Sequence, residues 1–73
     1  MKNLLIDRIL EIGGIYTPTN LLFTEKDSRW NHPCFKPLQR LTAIEGTNLL
    51  NTYSNETLLH LLETTIRRYY TQR

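Results

Sequence analysis

His32, Cys34 and His60 are the residues whose types come closest to chemistry in this chain. A thiol with an imidazole in reach can pair as nucleophile and base, and the same three side chains are soft metal ligands. His32 and Cys34 are two positions apart, so in an extended segment their side chains point the same way and can touch. Against catalysis, Pro33 stands between them, and no flanking signature of a cysteine enzyme surrounds them. A structural zinc site wants four ligands, usually paired through short spacers, and a His-x-Cys pair with one distant histidine falls short. The carboxylates Asp7, Glu11, Glu25, Asp27, Glu45, Glu56 and Glu63 follow no glycosidase or metal-binding spacing. With three glycines in total, neither a dinucleotide fingerprint nor a phosphate-binding loop can be built. A chain of 73 residues also has little volume for a ligand pocket of about 300–1,000 Å³. The expectation is a protein that is not an enzyme, with no metal, cofactor or small-molecule substrate.

Two clusters mix cations with aromatics. The first holds Lys26, Arg29, Trp30, His32, Phe35, Lys36 and Arg40, with Asp27 the only acid among them. The second, Arg67, Arg68, Tyr69, Tyr70 and Arg73, ends the sequence. Cations contact phosphates and aromatics stack on unpaired bases, so nucleic acid is one partner class these types suit. An arginine beside a large aromatic is equally the usual composition of a protein-binding hot spot. Both clusters also have a plain structural explanation. Arg67 and Arg68 complement the negative end of a helix, Tyr69 and Tyr70 continue its apolar face, and Trp30 and Phe35 can plug a core from a loop.

The elements that position these residues are mainly helical in pattern. Thirteen leucines and no valine favour helix over strand, with ten threonines pulling weakly the other way. A first helix is predicted over 3–12, where Leu5, Ile6, Ile9, Leu10 and Ile12 share a side opposite Asp7, Arg8 and Glu11. Gly13-Gly14 should close it with a left-handed residue. The last helix, over 55–70, carries the clearest signal. Ser54 or Asn55 can cap it, and Glu56 suits its positive end. At about 100° per residue, Leu58, Leu59, Leu61, Leu62, Ile66, Tyr69 and Tyr70 fill one half of the wheel. Glu56, Thr57, His60, Glu63, Thr64, Arg67 and Arg68 fill the other. An arc this wide implies two neighbours, because contact with one needs only about 100°.

The middle is less patterned. Thr17-Pro18 suits a helix start with Leu21, Leu22 and Phe23 as buried content, or a strand entering a turn over 25–28. Residues 25–36 read as an irregular loop, Pro37 as the first turn of a helix through Leu38, Leu41 and Ile44, and Gly46 as its end or a kink in it. The tripeptide Asn-Leu-Leu recurs at Asn3, Asn20 and Asn48, but the unequal intervals exclude a solenoid. A DNA-reading helix-turn-helix fits poorly: its second helix would be 55–70, whose first exposed group, Glu56, repels phosphate.

Length allows one domain, residues 1–73, whose core on its own seldom supplies more than about 3–5 kcal/mol of net stability. One cysteine permits no disulfide within the chain and suits a reducing compartment. The longest apolar runs have three residues, and Asp7, Arg8 and Glu11 interrupt any signal-peptide core, so the expected setting is soluble and cytoplasmic. The formal charge of +2 is too mild to demand a polyanion. The fold expected is a small bundle of three or four short helices with a long irregular loop, the alternative being α+β with a hairpin between residues 15 and 35.

The apolar stripes exceed what so few elements can cover, which points to a second copy of the chain or another protein as cover. The functional expectation is a non-enzymatic interaction module that docks on another macromolecule as regulator, inhibitor or adaptor. In size and composition it fits the small accessory proteins that phages and mobile elements carry. Arg29, Trp30, Arg67, Arg68 and Tyr70 are the expected partner contacts. The alternative is nucleic-acid binding through Lys26, Arg29, Trp30, Lys36, Arg40 and Arg73.

Overall fold

A computed structural model describes residues 2–14, 21–26 and 28–71. Its element order is α1 (Lys2–Gly13), two 3₁₀ helices (Ser28–Trp30 and Pro33–Leu38), α2 (Ala43–Leu50) and α3 (Asn55–Thr71). The fold is mainly helical, as the leucine-rich composition predicts. No strand occurs among the described residues; the nearest thing is one isolated antiparallel bridge between Leu21 and Thr42. Leu22 N–H donates to the Leu41 carbonyl beside it. A hairpin within 21–35 is therefore absent, and residues 15–20, with the Thr17-Pro18 helix start, lie outside the described residues.

α1 buries Ile6, Ile9 and Ile12 as its period requires, and packs chiefly on α3. Gly13-Gly14 does not end it in the left-handed conformation, for no described glycine has a positive φ. Gly13 is needed for space instead. A Cβ there would stand 2.5 Å from Phe23 Cζ. It is Phe23 that adopts a positive φ, of 46°, with its N–H donating to the Gly13 carbonyl at 2.9 Å. A left-handed residue with a side chain costs about 1–2 kcal/mol, and burial of the ring offsets that cost.

The middle segment departs most from its sequence pattern. Pro37 starts no α-helix; it lies inside the second 3₁₀ helix, whose N-cap is His32. α2 begins later, where Thr42 and Glu45 form a reciprocal capping box. Gly46 sits within α2 rather than ending it, and Leu22 Cδ1 occupies the space where a Cβ would stand. Ile44 consequently points outward and is exposed, not core. Lys2 Nζ closes the far end of α2 by donating to the Asn51 carbonyl at 2.7 Å.

One core joins all the elements: Ile6, Ile9 and Ile12 of α1, Leu50 of α2, Leu58 and Leu61 of α3, and Leu22, Phe23, Trp30, Phe35 and Leu38 from between. Its centre is an aromatic triad. Phe23 stacks on Phe35 at 4.6 Å, and Trp30 meets both edge-on, at 4.9 and 5.2 Å. Thr65, fully buried, stays satisfied by donating its hydroxyl to the Leu61 carbonyl at 2.7 Å.

Candidate interaction surface

α3 starts where its cap predicts: Ser54 Oγ accepts from Thr57 N–H at 3.2 Å, with Glu56 in the first turn. Its buried line runs through Leu58, Leu61 and Thr65. The rest of the wide apolar arc is left outside. Leu59 is 49% exposed, Ile66 37% and Tyr70 63%, while Leu62, lying between the two lines, is half-buried. At about 100° per residue, Leu59, Ile66 and Tyr70 share a sector of about 40°, rotated by roughly 120° from the buried line. Three exposed apolar side chains thus form one strip over three turns of helix. Of these Tyr70 is an expected partner contact, while Leu59 and Ile66 belong to the wide apolar arc that the sequence places on this helix.

The residues expected to dock divide sharply. Trp30 is only 1% exposed, so it anchors the core and offers no surface to a partner. The correction has a physical cause: Phe23 and Phe35 close over the indole from both sides in sequence, and burying all three rings is worth more than presenting one. Arg29, next to it, is half-buried with its guanidinium 5.8 Å from the centre of the Tyr69 ring, and Tyr69 meets Tyr70 edge-on at 4.7 Å. The fold therefore brings the two cation–aromatic clusters together at Arg29, Tyr69 and Tyr70, beside the C-terminal end of the strip. Arg67 is exposed and Arg68 half-buried toward Cys34.

The residues of the nucleic-acid alternative are scattered. Lys26 and Lys36 line one polar cleft with Glu25, Ser28, Asn31 and Gln39. Arg40 reaches Glu25 instead, Nε to Oε1 at 3.1 Å, on the surface. Trp30 and Phe35 are both sealed inside, so no base can stack on either. Arg73 lies outside the described residues.

His32 and Cys34 do touch. His32 Nδ1 accepts from Cys34 N–H at 3.2 Å and stands 3.1 Å from Cys34 Sγ. The Nδ1 lone pair thus faces the Cys34 N–H and caps the second 3₁₀ helix. Burial pushes the Cys34 pKa up, against the Arg68 charge and a backbone hydrogen bond, which pull it down. The sulfur is thus held as the thiol at neutral pH, the unreactive form. Because folding raises this pKa, the group's contribution to stability is complete below the ordinary thiol range, about 8.5, and is lost as pH rises from there through the folded value. Alkylation by iodoacetamide at neutral pH should run several-fold slower in the folded protein than in urea. Equal rates in the two states would contradict a half-buried thiol with a raised pKa.

Cys34 lies on the wall of a half-open cleft of about 310 Å³ between α3 and the second 3₁₀ helix, lined also by Pro37, Tyr53, Thr57, His60, Leu61 and Thr64. The cleft is at the small end of the range of ligand pockets. Among the described residues, no three His, Cys, Asp or Glu side chains are placed to hold a metal ion. Among the same residues, no helix is long and apolar enough to cross a membrane. Compared with protein-family models, curated proteins and solved structures, the chain matches none.

Proposed function

We propose that the protein is a small non-enzymatic interaction module, acting as regulator, inhibitor or adaptor by docking on another macromolecule through the outer edge of α3. One observation carries this: Leu59, Ile66 and Tyr70 lie exposed in a single strip on a helix whose other apolar line is already buried. Single exposed hydrophobics are ordinary on any protein surface; aligned along one helix edge, they form the kind of face that apolar grooves and helices accept. The resting state of Cys34, a half-buried thiol with raised pKa, also favours binding over catalysis.

The test is capture from host extract by the immobilised protein and by an Ile66→Glu variant of unchanged circular dichroism. A partner bound by the parent and lost in the variant is the expected result. Partners retained equally by both would place docking elsewhere.

Nucleic acid is the second reading, favoured by the shared cleft of Lys26 and Lys36. Phosphate contacts would make that affinity fall steeply with salt, whereas a partner held by apolar burial withstands the same change.

A further inference from the structure

We infer that the occupant of the α3 edge is a second copy of this chain, its α3 laid antiparallel across a two-fold axis near the middle of the strip. The inference rests on the reading of this edge as a docking surface and names its partner. Glu56, Glu63 and Arg67 are exposed. By helical position they line one flank of the strip, within about 80° of Leu59. The acids lie toward the N-terminal end of the strip and the cation toward the other. A two-fold axis perpendicular to the helices, at the level of residues 64 and 65, lays this flank against its own copy with the direction reversed.

The level of Arg67 in one copy then nearly coincides with that of Glu63 in the other, offset by about 1.5 Å of helix rise, and the pair occurs twice. Tyr70 stands level with Leu59 of the second copy, and the two Ile66 side chains flank the axis. A parallel pairing would set this charged flank against the opposite flank of the partner, at Leu62, and gain no such pair. The face is therefore complementary to itself in one orientation.

Area sets the strength. Leu59, Ile66 and Tyr70 expose on the order of 300 Å² between them. A standard interface takes about 800 Å² from each partner. Even with the charged flank included the contact falls short of a standard interface, so the dimer is a weak one.

Sedimentation equilibrium of the full chain, from micromolar to millimolar, tests this. The parent should pass from monomer to dimer across that range, and Ile66→Glu should remain monomeric with an unchanged circular dichroism spectrum. Glu63→Lys should weaken the dimer several-fold, and Arg67→Glu added to it should restore the affinity. A spin label on Glu56→Cys in a Cys34→Ser background should report roughly 25–30 Å between copies, against about 10 Å for a parallel pair.

A parent that stays monomeric at millimolar concentration, or a short label distance, overturns the inference. If that monomer still captures another protein through Ile66, the docking reading survives with a different occupant. A monomer that captures nothing through Ile66 removes both.

Discussion

Trp30→Ala should leave most molecules unfolded at 25 °C. The indole is 1% exposed and meets Phe23 and Phe35 edge-on within 5.2 Å. Truncating a buried tryptophan to alanine removes its contacts and leaves a cavity, at a cost of about 3–5 kcal/mol. That is the whole net stability expected of a core this small. A urea titration followed by circular dichroism should show a cooperative transition for the parent and a flattened, shifted curve for the variant. A midpoint close to the parent's would mean that the indole is not packed in the triad. By contrast, Tyr70→Ala removes a side chain that is 63% exposed, and surface changes of that kind usually move stability by no more than about 0.5 kcal/mol. Loss of binding in a Trp30 variant would therefore report unfolding, while the same loss in a Tyr70 or Ile66 variant would report docking.

What the sequence makes legible here is what local pattern controls. α3 begins at its serine cap and runs through its apolar period because both signals lie within a few residues of where they act. α1 is legible for the same reason. The edge between covered and uncovered apolar surface is not. Leu58 and Leu59 are adjacent leucines on the same half of the wheel, yet the first is buried and the second half exposed. Which of them is covered depends on where α1 and the two 3₁₀ helices come to rest, and no residue of α3 encodes that. Gly46 misled for a related reason. As punctuation it reads as a helix end; as a contact it is the gap that lets Leu22 Cδ1 lie against α2, across more than twenty residues of chain. Trp30 beside Arg29 suited either a hot spot or a plug, and the outcome turned on Phe23, seven positions earlier, taking up its left-handed φ. The breadth of the α3 arc was the one sequence feature that pointed to Leu59 and Ile66. That breadth implies two neighbours or surplus apolar surface, and the chain itself covers only part of the arc.

Gly13→Ala sets two opposed effects against each other, and their magnitudes decide the sign. Alanine is the better helix former by about 0.8–1.0 kcal/mol in a helix interior, and by less at the last residue of α1. Against that, the added Cβ would stand 2.5, 2.7 and 2.8 Å from Cζ, Cε2 and Cε1 of Phe23. A methyl cannot share that space with the ring, so something must retreat. The ring has nowhere to go. It is fully buried, stacked on Phe35 at 4.6 Å and set against Trp30 at 4.9 Å, and its own N–H is tied to the Gly13 carbonyl. Overpacking of a tight core costs about 1–3 kcal/mol, so after the propensity gain the net effect should be a loss of about 1.5 kcal/mol. For a domain of this size that lowers the melting temperature by roughly 6–12 °C. Gly46→Ala provides the contrast. There the obstructing atom is Cδ1 of Leu22, the end of a flexible side chain, and the position lies inside α2, where the gain in helix propensity is larger. Its loss should be clearly the smaller of the two in calorimetry. A Gly13→Ala protein that melts at or above the parent's temperature would show that Phe23 does not lie over α1. The left-handed turn at residue 23 would then have no packing to justify it, and the aromatic triad that keeps Trp30 off the surface would lose its first member.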